Sequence, residues 1–259
     1  RLRQYEPEFL TECLRKHQVF EHFANAMCVI PIEDYPLFKP IRTQMQHRLQ
    51  PSIEKMQHTI QHVLERLSHE GPLPSRAFQS HKKVHGYWDN TDAKTKETSH
   101  ALTLLYDSGV IQVVKRESGE RYFDLTEHFI PKSILDKAEA ISLSEAKQAL
   151  IDKYIRAYRI VDGQSQRFGW FKMTAAERKA DIDKRVQNKQ LVPLEIEGVK
   201  RHYYLLSEDL ETLKACETSS STLSANKMTF LPPLDNLLWN RERIKDFFGF
   251  DYKWEIYTP

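Results

Sequence analysis

The chain has little cysteine, no long apolar run and almost no net charge, and each shortage removes a class of protein. Cys13, Cys28 and Cys216 are odd in number and far apart, so no paired spacing supports a zinc site or a disulfide framework. They read as reduced thiols of a cytoplasmic protein. The longest apolar runs are a few residues, such as Val110-Ile111 or Phe247-Phe248, against the ~20 apolar residues of a membrane span. A bilayer-spanning role is excluded. No signal-peptide pattern and no starting Met are present. Gly-x-Ser-x-Gly, a phosphate loop and Gly-x-Gly-x-x-Gly are missing too, which leaves a hydrolase or nucleotide-binding reading without local support. No cofactor is expected.

What remains is a soluble globular protein of 259 residues, 40% apolar and 29% charged, with a mean hydropathy of −0.60. That length suits one large domain or two ordinary ones, at roughly 100–200 residues each. The net charge of +2 argues against a nucleic-acid partner when averaged over the chain, but its distribution matters more. Residues 153–190 carry ten Lys and Arg against the four acids Asp162, Glu177, Asp181 and Asp183, and residues 191–220 then swing acidic. Exposed basic helix faces are also ordinary solvation, so position on the fold must decide.

Residues 1–50 read as a mostly helical N-terminal segment, punctuated by prolines from 31 to 40. A new unit is expected near Pro51. The spacing of Ile53, Met56, Ile60, Val63, Leu64 and Leu67 predicts an amphipathic helix that Gly71-Pro72 terminates. A short segment from Ser75, a loop at 86–90 and a helix from Asp92 to Ser108 follow, with Gly109 as a left-handed cap. Val110-Ile111-Gln112-Val113-Val114 and Arg121-Tyr122-Phe123-Asp124-Leu125 then predict a hairpin across Ser118-Gly119.

The same order recurs. Ser142-Leu143-Ser144-Glu145 is a capping box opening a helix, and Thr174-Ala175-Ala176-Glu177 is a second, opening a basic helix that runs to about Lys189. A hairpin about Gly198 joins 191–196 to 201–206. Helix, short helix, helix and hairpin are the order of a winged helix, whose second helix pairs with the major groove and whose hairpin wing lies on the backbone. The expected fold is therefore α+β and predominantly helical, with tandem winged helix-turn-helix modules and β-hairpin wings, at 51–131 and 132–215. Residues 216–259 read as a Ser/Thr-rich loop followed by the start of a β-barrel scaffold.

In these modules Lys94, Lys96 and His100 fall on the first recognition helix, with Lys115, Arg116 and Arg121 at its wing. Arg178, Lys179, Lys184 and Arg185 fall on the second, with Lys200 and Arg201 at its wing. These residues would neutralise phosphates and set affinity without reading sequence. Winged helices also serve as protein-interaction modules, and fold alone does not give function. His58 and His62 have a spacing found in metal sites, but Gln61 stands where a zinc protease has its Glu and no third ligand follows. No metal is expected. Gln44-Met45-Gln46 reads as solvated surface.

Three segments carry a family resemblance. Phe20-Glu21-His22-Phe23-Ala24-Asn25-Ala26 followed by Ile30-Pro31-Ile32-Glu33-Asp34-Tyr35 is similar to F-E-x-W-x-H-A-x followed by L-P-x-E-D. Arg121-Tyr122-Phe123-Asp124-Leu125-Thr126-Glu127-His128-Phe129-Ile130-Pro131 is similar to R-x-Y-D-L-x-E-R-x-x-P. The most specific match is Pro233-Leu234-Asp235-Asn236-Leu237-Leu238-Trp239-Asn240-Arg241-Glu242-Arg243, running on through Phe248-Gly249-Phe250-Asp251-Tyr252-Lys253-Trp254 to Pro259. Together they resemble the bacterial winged-helix DNA glycosylases of the AlkZ and YcaQ type, over nearly the whole chain.

The resemblance implies tandem winged helices on a β-barrel scaffold and a monofunctional glycosylase that hydrolyses N-glycosidic bonds of alkylated purines, including those in interstrand crosslinks. It also implies that the catalytic Gln-x-Gln or Gln-x-Asp lies upstream of Arg1-Leu2-Arg3-Gln4-Tyr5, so no catalytic residue is assigned here. The chain then reads as the middle of a longer protein. Asn25 stands where the family usually has His, and with Asp235, Arg241 and Arg243 it is a candidate for lining an open cleft. The last three also fit a packing role beside Trp239, Phe247 and Phe250. The expected partner is double-stranded DNA, bound as a monomer. The alternative is a non-enzymatic transcriptional regulator of two winged helices, which would dimerise on a symmetric site.

Overall fold

The computed structural model describes residues 6–86, 89, 92–218, 230–231 and 235–251. It is a mixed α and β structure, predominantly helical. Among the described residues no strands close a barrel, and no helix is long and apolar enough to cross a membrane. The expected β scaffold at 252–257 and most of the Ser/Thr-rich loop lie outside the described residues. The chain divides into two compact units, 1–150 and 151–259.

The first unit opens with helix α1 (Pro7–Arg15), then strands β1 (Val19–Phe23) and β2 (Met27–Pro31). Within the segment expected to be mostly helical, 19–31 instead form an antiparallel hairpin with Phe20 facing Ile30 and His22 facing Cys28. Its alternation is hard to read because Glu21 and His22 are buried alongside Phe20, so polar letters occupy core positions. A 3₁₀ turn (Ile32–Phe38) leads into α2 (Lys39–Lys55), which runs through Pro51 before the chain bends at Met56 into α3 (Gln57–Glu70). Gly71, at φ 76°, ends α3 as expected.

Strand β3 (Leu73–Pro74) and a 3₁₀ turn (Ser75–Ala77) follow. A two-stranded ribbon, β4 (Lys83–Val84) and β5 (Thr95–Lys96), precedes helix α4 (Glu97–Asp107). The predicted helix from Asp92 is thus shorter, since 95–96 are held in the ribbon. At its far end Gly109 donates to Tyr106 O and Val110 to Leu105 O, with Gly109 at φ 75°. This is the left-handed cap the sequence predicts. Strands β6 (Ile111–Glu117) and β7 (Glu120–Leu125) join through Ser118 and Gly119, both at positive φ, the two-residue turn whose twist suits a hairpin. The sheet order is β3-β7-β6. Helices α5 (Thr126–Phe129) and α6 (Lys132–Ala140) complete the unit with the start of α7 (Leu143–Tyr158). Ser142 and Glu145 form the predicted capping box, at 3.0 and 3.1 Å.

In the second unit α7 passes into β8 (Ile160–Asp162), a 3₁₀ turn (Phe168–Trp170) and α8 (Ala175–Gln187). Strands β9 (Leu191–Leu194) and β10 (Tyr203–Leu206) follow, then α9 (Leu210–Thr218) and α10 (Arg241–Phe248). Sheet order is β8-β10-β9, the same arrangement as in the first unit. The cap of α8 matches that of α4 bond for bond: Lys189 donates to Val186 O and Gln190 to Arg185 O. Beyond each hairpin a hydroxyl closes back onto the cap. Thr126 Oγ1 donates to Gly109 O at 2.7 Å and Ser207 Oγ to Lys189 O at 2.6 Å.

Apolar burial holds each sheet to its helices. Ile60, Val63 and Leu67 of α3 pack with Leu102 and Leu105 of α4 and with Ile111, Val113 and Phe123 of the sheet. Each fully buried aliphatic side chain is worth roughly 1.5–3 kcal/mol. Leu67 is fully buried, so Leu67→Ala should lower stability by about 2–5 kcal/mol. Urea unfolding checks this, with exposed Gln61→Ala as a control that should stay within about 0.5 kcal/mol.

Candidate nucleic-acid interface

Helix α8 separates its cations by face. Thr174 and Glu177 begin it with the predicted capping box: Glu177 N donates to Thr174 Oγ1 at 3.2 Å, and Thr174 N to Glu177 Oε2 at 2.7 Å. The inner face carries Arg178, Asp181, Ile182 and Arg185, all buried. Arg178 donates to the carbonyls of Gly163 (2.9 Å) and Met173 (2.6 Å). Arg185 donates to Asp181 at 2.6 Å and to Asp152. The outer face carries Lys179 and Lys184, both exposed. Lys179 pairs with Asp183 at 2.5 Å, and that carboxylate raises the lysine pKa. Lys184 has no ion-pair partner among the described residues. The guanidiniums therefore hold the helix in place while the ammoniums face water, in keeping with the donor fork of Arg suiting buried pairs. The spacing of Arg178, Asp181 and Arg185 was the available signal, an acid placed three and four residues from two arginines.

The hairpin after α8 divides its cations in the same way. Lys200 is exposed, whereas Arg201 faces Asp246 at 3.2 Å, Asp162 at 3.4 Å and Glu242 at 3.5 Å. Asp162 is fully buried and also meets Arg243 at 3.7 Å. Arg243 is 1% exposed, with its guanidinium 5.4 Å over the Tyr158 ring. Tyr203 donates to Asp246 at 2.7 Å, and burial with that carboxylate pushes the phenol pKa up. These contacts seat α10 on the second sheet, with Phe247 against Tyr203 at 4.9 Å. Of the cleft candidates, Arg243 sits in this packing, Arg241 is exposed at the start of α10, and Asp235 accepts from Leu237 N at 2.9 Å in the turn before it.

In the first unit Arg116 lies within the structure as well. It donates to Glu21 from Nε (3.1 Å) and Nη2 (2.7 and 2.9 Å), and Tyr106 donates to the same carboxylate at 2.6 Å. Burial, with Glu21 beside it, raises the Tyr106 pKa. Arg121, opposite Arg116 in the ladder, lies over the rings of Phe123 (5.5 Å) and Tyr106 (5.6 Å). Glu21, Tyr106, Arg116 and Arg121 line a cavity of about 330 Å³ together with Leu10, Met27, Cys28 and Val29. Lys115 pairs with Glu117 at 2.8 Å and lies over Tyr122 at 4.2 Å. Lys94 and Lys96 are exposed on the ribbon side of α4. His100 is half-buried, and burial lowers its pKa. Asn25 is half-buried in the turn between β1 and β2.

Sequence reasoning missed Glu21, His22 and Arg42. Arg42 is buried, donates to Tyr35 O at 2.5 Å and stacks 3.8 Å over the Tyr35 ring. Gln46, read as solvated, donates to Ser108 O at 3.2 Å. At 1% exposure, both ring nitrogens of His22 lack hydrogen-bond partners among the described residues. Burial, followed by the nearby Arg42 charge, lowers its pKa from 6.5 to about 3. His58 and His62 are exposed on α3, and among the described residues no three His, Cys, Asp or Glu side chains are grouped to hold a metal.

The His22 environment makes stability depend on pH. The unfolded chain takes up a proton as pH falls through 6.5, whereas the folded chain does so only near 3, so stability is lost as pH is lowered between those values. The slope for one group is about 1.4 kcal/mol per pH unit. His22→Phe should remove that slope between pH 6 and 4, read as the pH dependence of the urea midpoint; equal slopes in both proteins would show that His22 titrates normally.

No solved structure matches the chain. The model of the family described as DNA glycosylase AlkZ-like matches residues 1–259. With the match spanning its whole length, the chain belongs to the AlkZ-like DNA glycosylase family.

Proposed function

We propose that the protein is a monofunctional DNA-repair glycosylase that releases alkylated or crosslinked purines from double-stranded DNA, acts as a monomer, and holds the duplex with two winged-helix modules. The full-length family match carries the reading, and a DNA glycosylase family implies DNA as substrate. It does not favour the transcriptional-regulator alternative. The modular part is supported by the shared sheet order and by the matching cap and hydroxyl bonds after α4 and α8.

In the proposed reaction water adds at C1′ of the deoxyribose as the bond to the purine nitrogen breaks, and the bonding pair leaves with the base. Ring alkylation makes the purine a better leaving group. The sugar passes through an oxocarbenium-like state that needs a general base for the water and a negative or dipolar group nearby. A crosslinked base is tied to the opposite strand and cannot be freely extruded into a closed pocket, so an open site suits such a lesion. Asp235 and Arg241 of the second unit remain proposed cleft residues.

The proposed DNA contacts are the exposed cations Lys179 and Lys184 on α8, Lys200 on its hairpin, Arg121 on the first hairpin and Lys94 with Lys96 beside α4, together with the half-buried Lys115. Arg178, Arg185, Arg201 and Arg116 act through these by fixing the elements that carry them. The double variant Lys179→Gln/Lys184→Gln should reduce the slope of log K against log salt by about 1.8, at roughly 0.9 per phosphate contact; an unchanged slope would remove α8 from the interface. The activity itself is tested by release of an alkylated purine from duplex DNA by the full-length protein. Free base is the expected product, and tight sequence-specific binding with no release would sink the glycosylase reading.

A further inference from the structure

The ribbon between the 3₁₀ turn at Ser75–Ala77 and α4 places like charges against each other. Lys83 of β4 is the direct cross-strand partner of Lys96 of β5. Both are exposed, and neither has an ion-pair partner among the described residues. Like charges directly opposite each other destabilise a strand pair. Lys94 adds a third exposed ammonium on the same arm, and Lys82 on the other is neutralised by Glu97 at 2.6 Å.

The arm is nevertheless firmly built. The Asp89 carboxylate accepts from Gly86 N at 2.8 Å, from Lys94 N and Thr95 N at 3.0 Å each, and from Thr95 Oγ1 at 2.9 Å. Gly86 is required there, because a Cβ would come within 2.0 Å of Thr95 Oγ1. Of the two acids in the loop that joins the strands, Asp92 is exposed, while Asp89 is engaged by these backbone and hydroxyl donors, and those bonds hold its pKa far below the usual carboxylate range. It is not arranged to neutralise the lysines.

Helix α4 itself offers little to a nucleic acid. Thr103 is its one exposed residue and its charged members are Glu97 and Asp107, with His100 half-buried. The unpaired positive charge of this region sits on the ribbon that leads into the helix.

We propose that the β4–β5 ribbon, through Lys83, Lys94 and Lys96, is a phosphate-backbone contact for duplex DNA, taking the place expected of α4 beside the first hairpin. The proposal rests on the DNA-binding part of the reading above and deepens it. Phosphate oxygens would convert the Lys83–Lys96 repulsion into a shared attraction. The contact would be independent of base sequence, since ammonium groups on phosphate carry no sequence information.

The test uses the full-length protein and an undamaged fluorescein-labelled duplex, with anisotropy followed from 50 to 200 mM salt. Lys83→Gln/Lys96→Gln should reduce the salt slope by about 1.8, so that affinity falls roughly 12-fold less than wild type over that range. Its thermal midpoint should equal or exceed that of wild type, because a repulsive pair has been removed. Lys83→Arg/Lys96→Arg should keep the wild-type slope. A glutamine variant that binds DNA with an unchanged slope overturns the ribbon proposal alone. Wild-type protein that binds no duplex overturns the DNA-binding reading and the ribbon with it.

Discussion

The first unit depends on a single buried carboxylate. Glu21 is 3% exposed on β1, and it is satisfied only because Arg116 from β6 and Tyr106 from α4 both reach it. That one group fastens the N-terminal hairpin to the sheet and to the helix behind it. Thr11 of α1 adds a bond to the Arg116 carbonyl. Arg116 arrives there because of an irregularity: the ladder register shifts between Val113 and Lys115, and one extra residue moves the side-chain alternation by one position. Removing Arg116 costs about 3–5 kcal/mol, since the Glu21 charge stays buried, while an apolar replacement of the whole group can be neutral. The pair therefore acts chiefly on which hairpin packs against which sheet face.

A division between buried guanidinium and exposed ammonium marks α8 in the second unit. Arg178, Arg185, Arg201 and Arg243 end on carbonyls or carboxylates within that unit, and the exposed cations of α8 are lysines. A count of basic residues along 153–190 merges these two populations. Functionally they differ, because only the outer set can release counterions when a phosphate approaches. The net charge offered to DNA is accordingly smaller than the sequence excess, and it lies on narrower strips.

What could be read in advance was whatever local chemistry fixes. Capping boxes at Ser142 and Thr174, the glycine cap at Gly109 and the two-residue turn at Ser118-Gly119 each follow from neighbouring residues alone, and each is present. The hairpin at 19–31 escaped because its core positions include Glu21 and His22, and the partner that satisfies buried Glu21, Arg116, lies 95 positions away. The ribbon escaped because two-residue strands carry no periodicity, and Asp89 supplies the missing order from within a loop. Of the site residues, identity was legible but facing was not. Arg178 and Lys179 are adjacent in sequence and opposite in role.

The two units also show how one pattern can acquire different surfaces. Gly109 and Lys189 occupy equivalent left-handed caps, at φ 75° and 58°. The lysine accepts a strain of roughly 1 kcal/mol that glycine avoids, and at Gly109 close packing adds to that backbone preference: a Cβ there would sit 3.3 Å from the buried Arg42 side chain and 3.9 Å from His22. In the first unit the cap is covered by α2 and the N-terminal hairpin, and α4 beneath it is closed off from solvent. In the second the cap residue is exposed, as is the lysine face of α8 before it. Covering α4 removes it as a surface for nucleic acid, and the positive charge reappears on the ribbon at its N-terminal end. An element added for packing on one side of a helix thereby shifts where the charge of that unit can meet a polyanion.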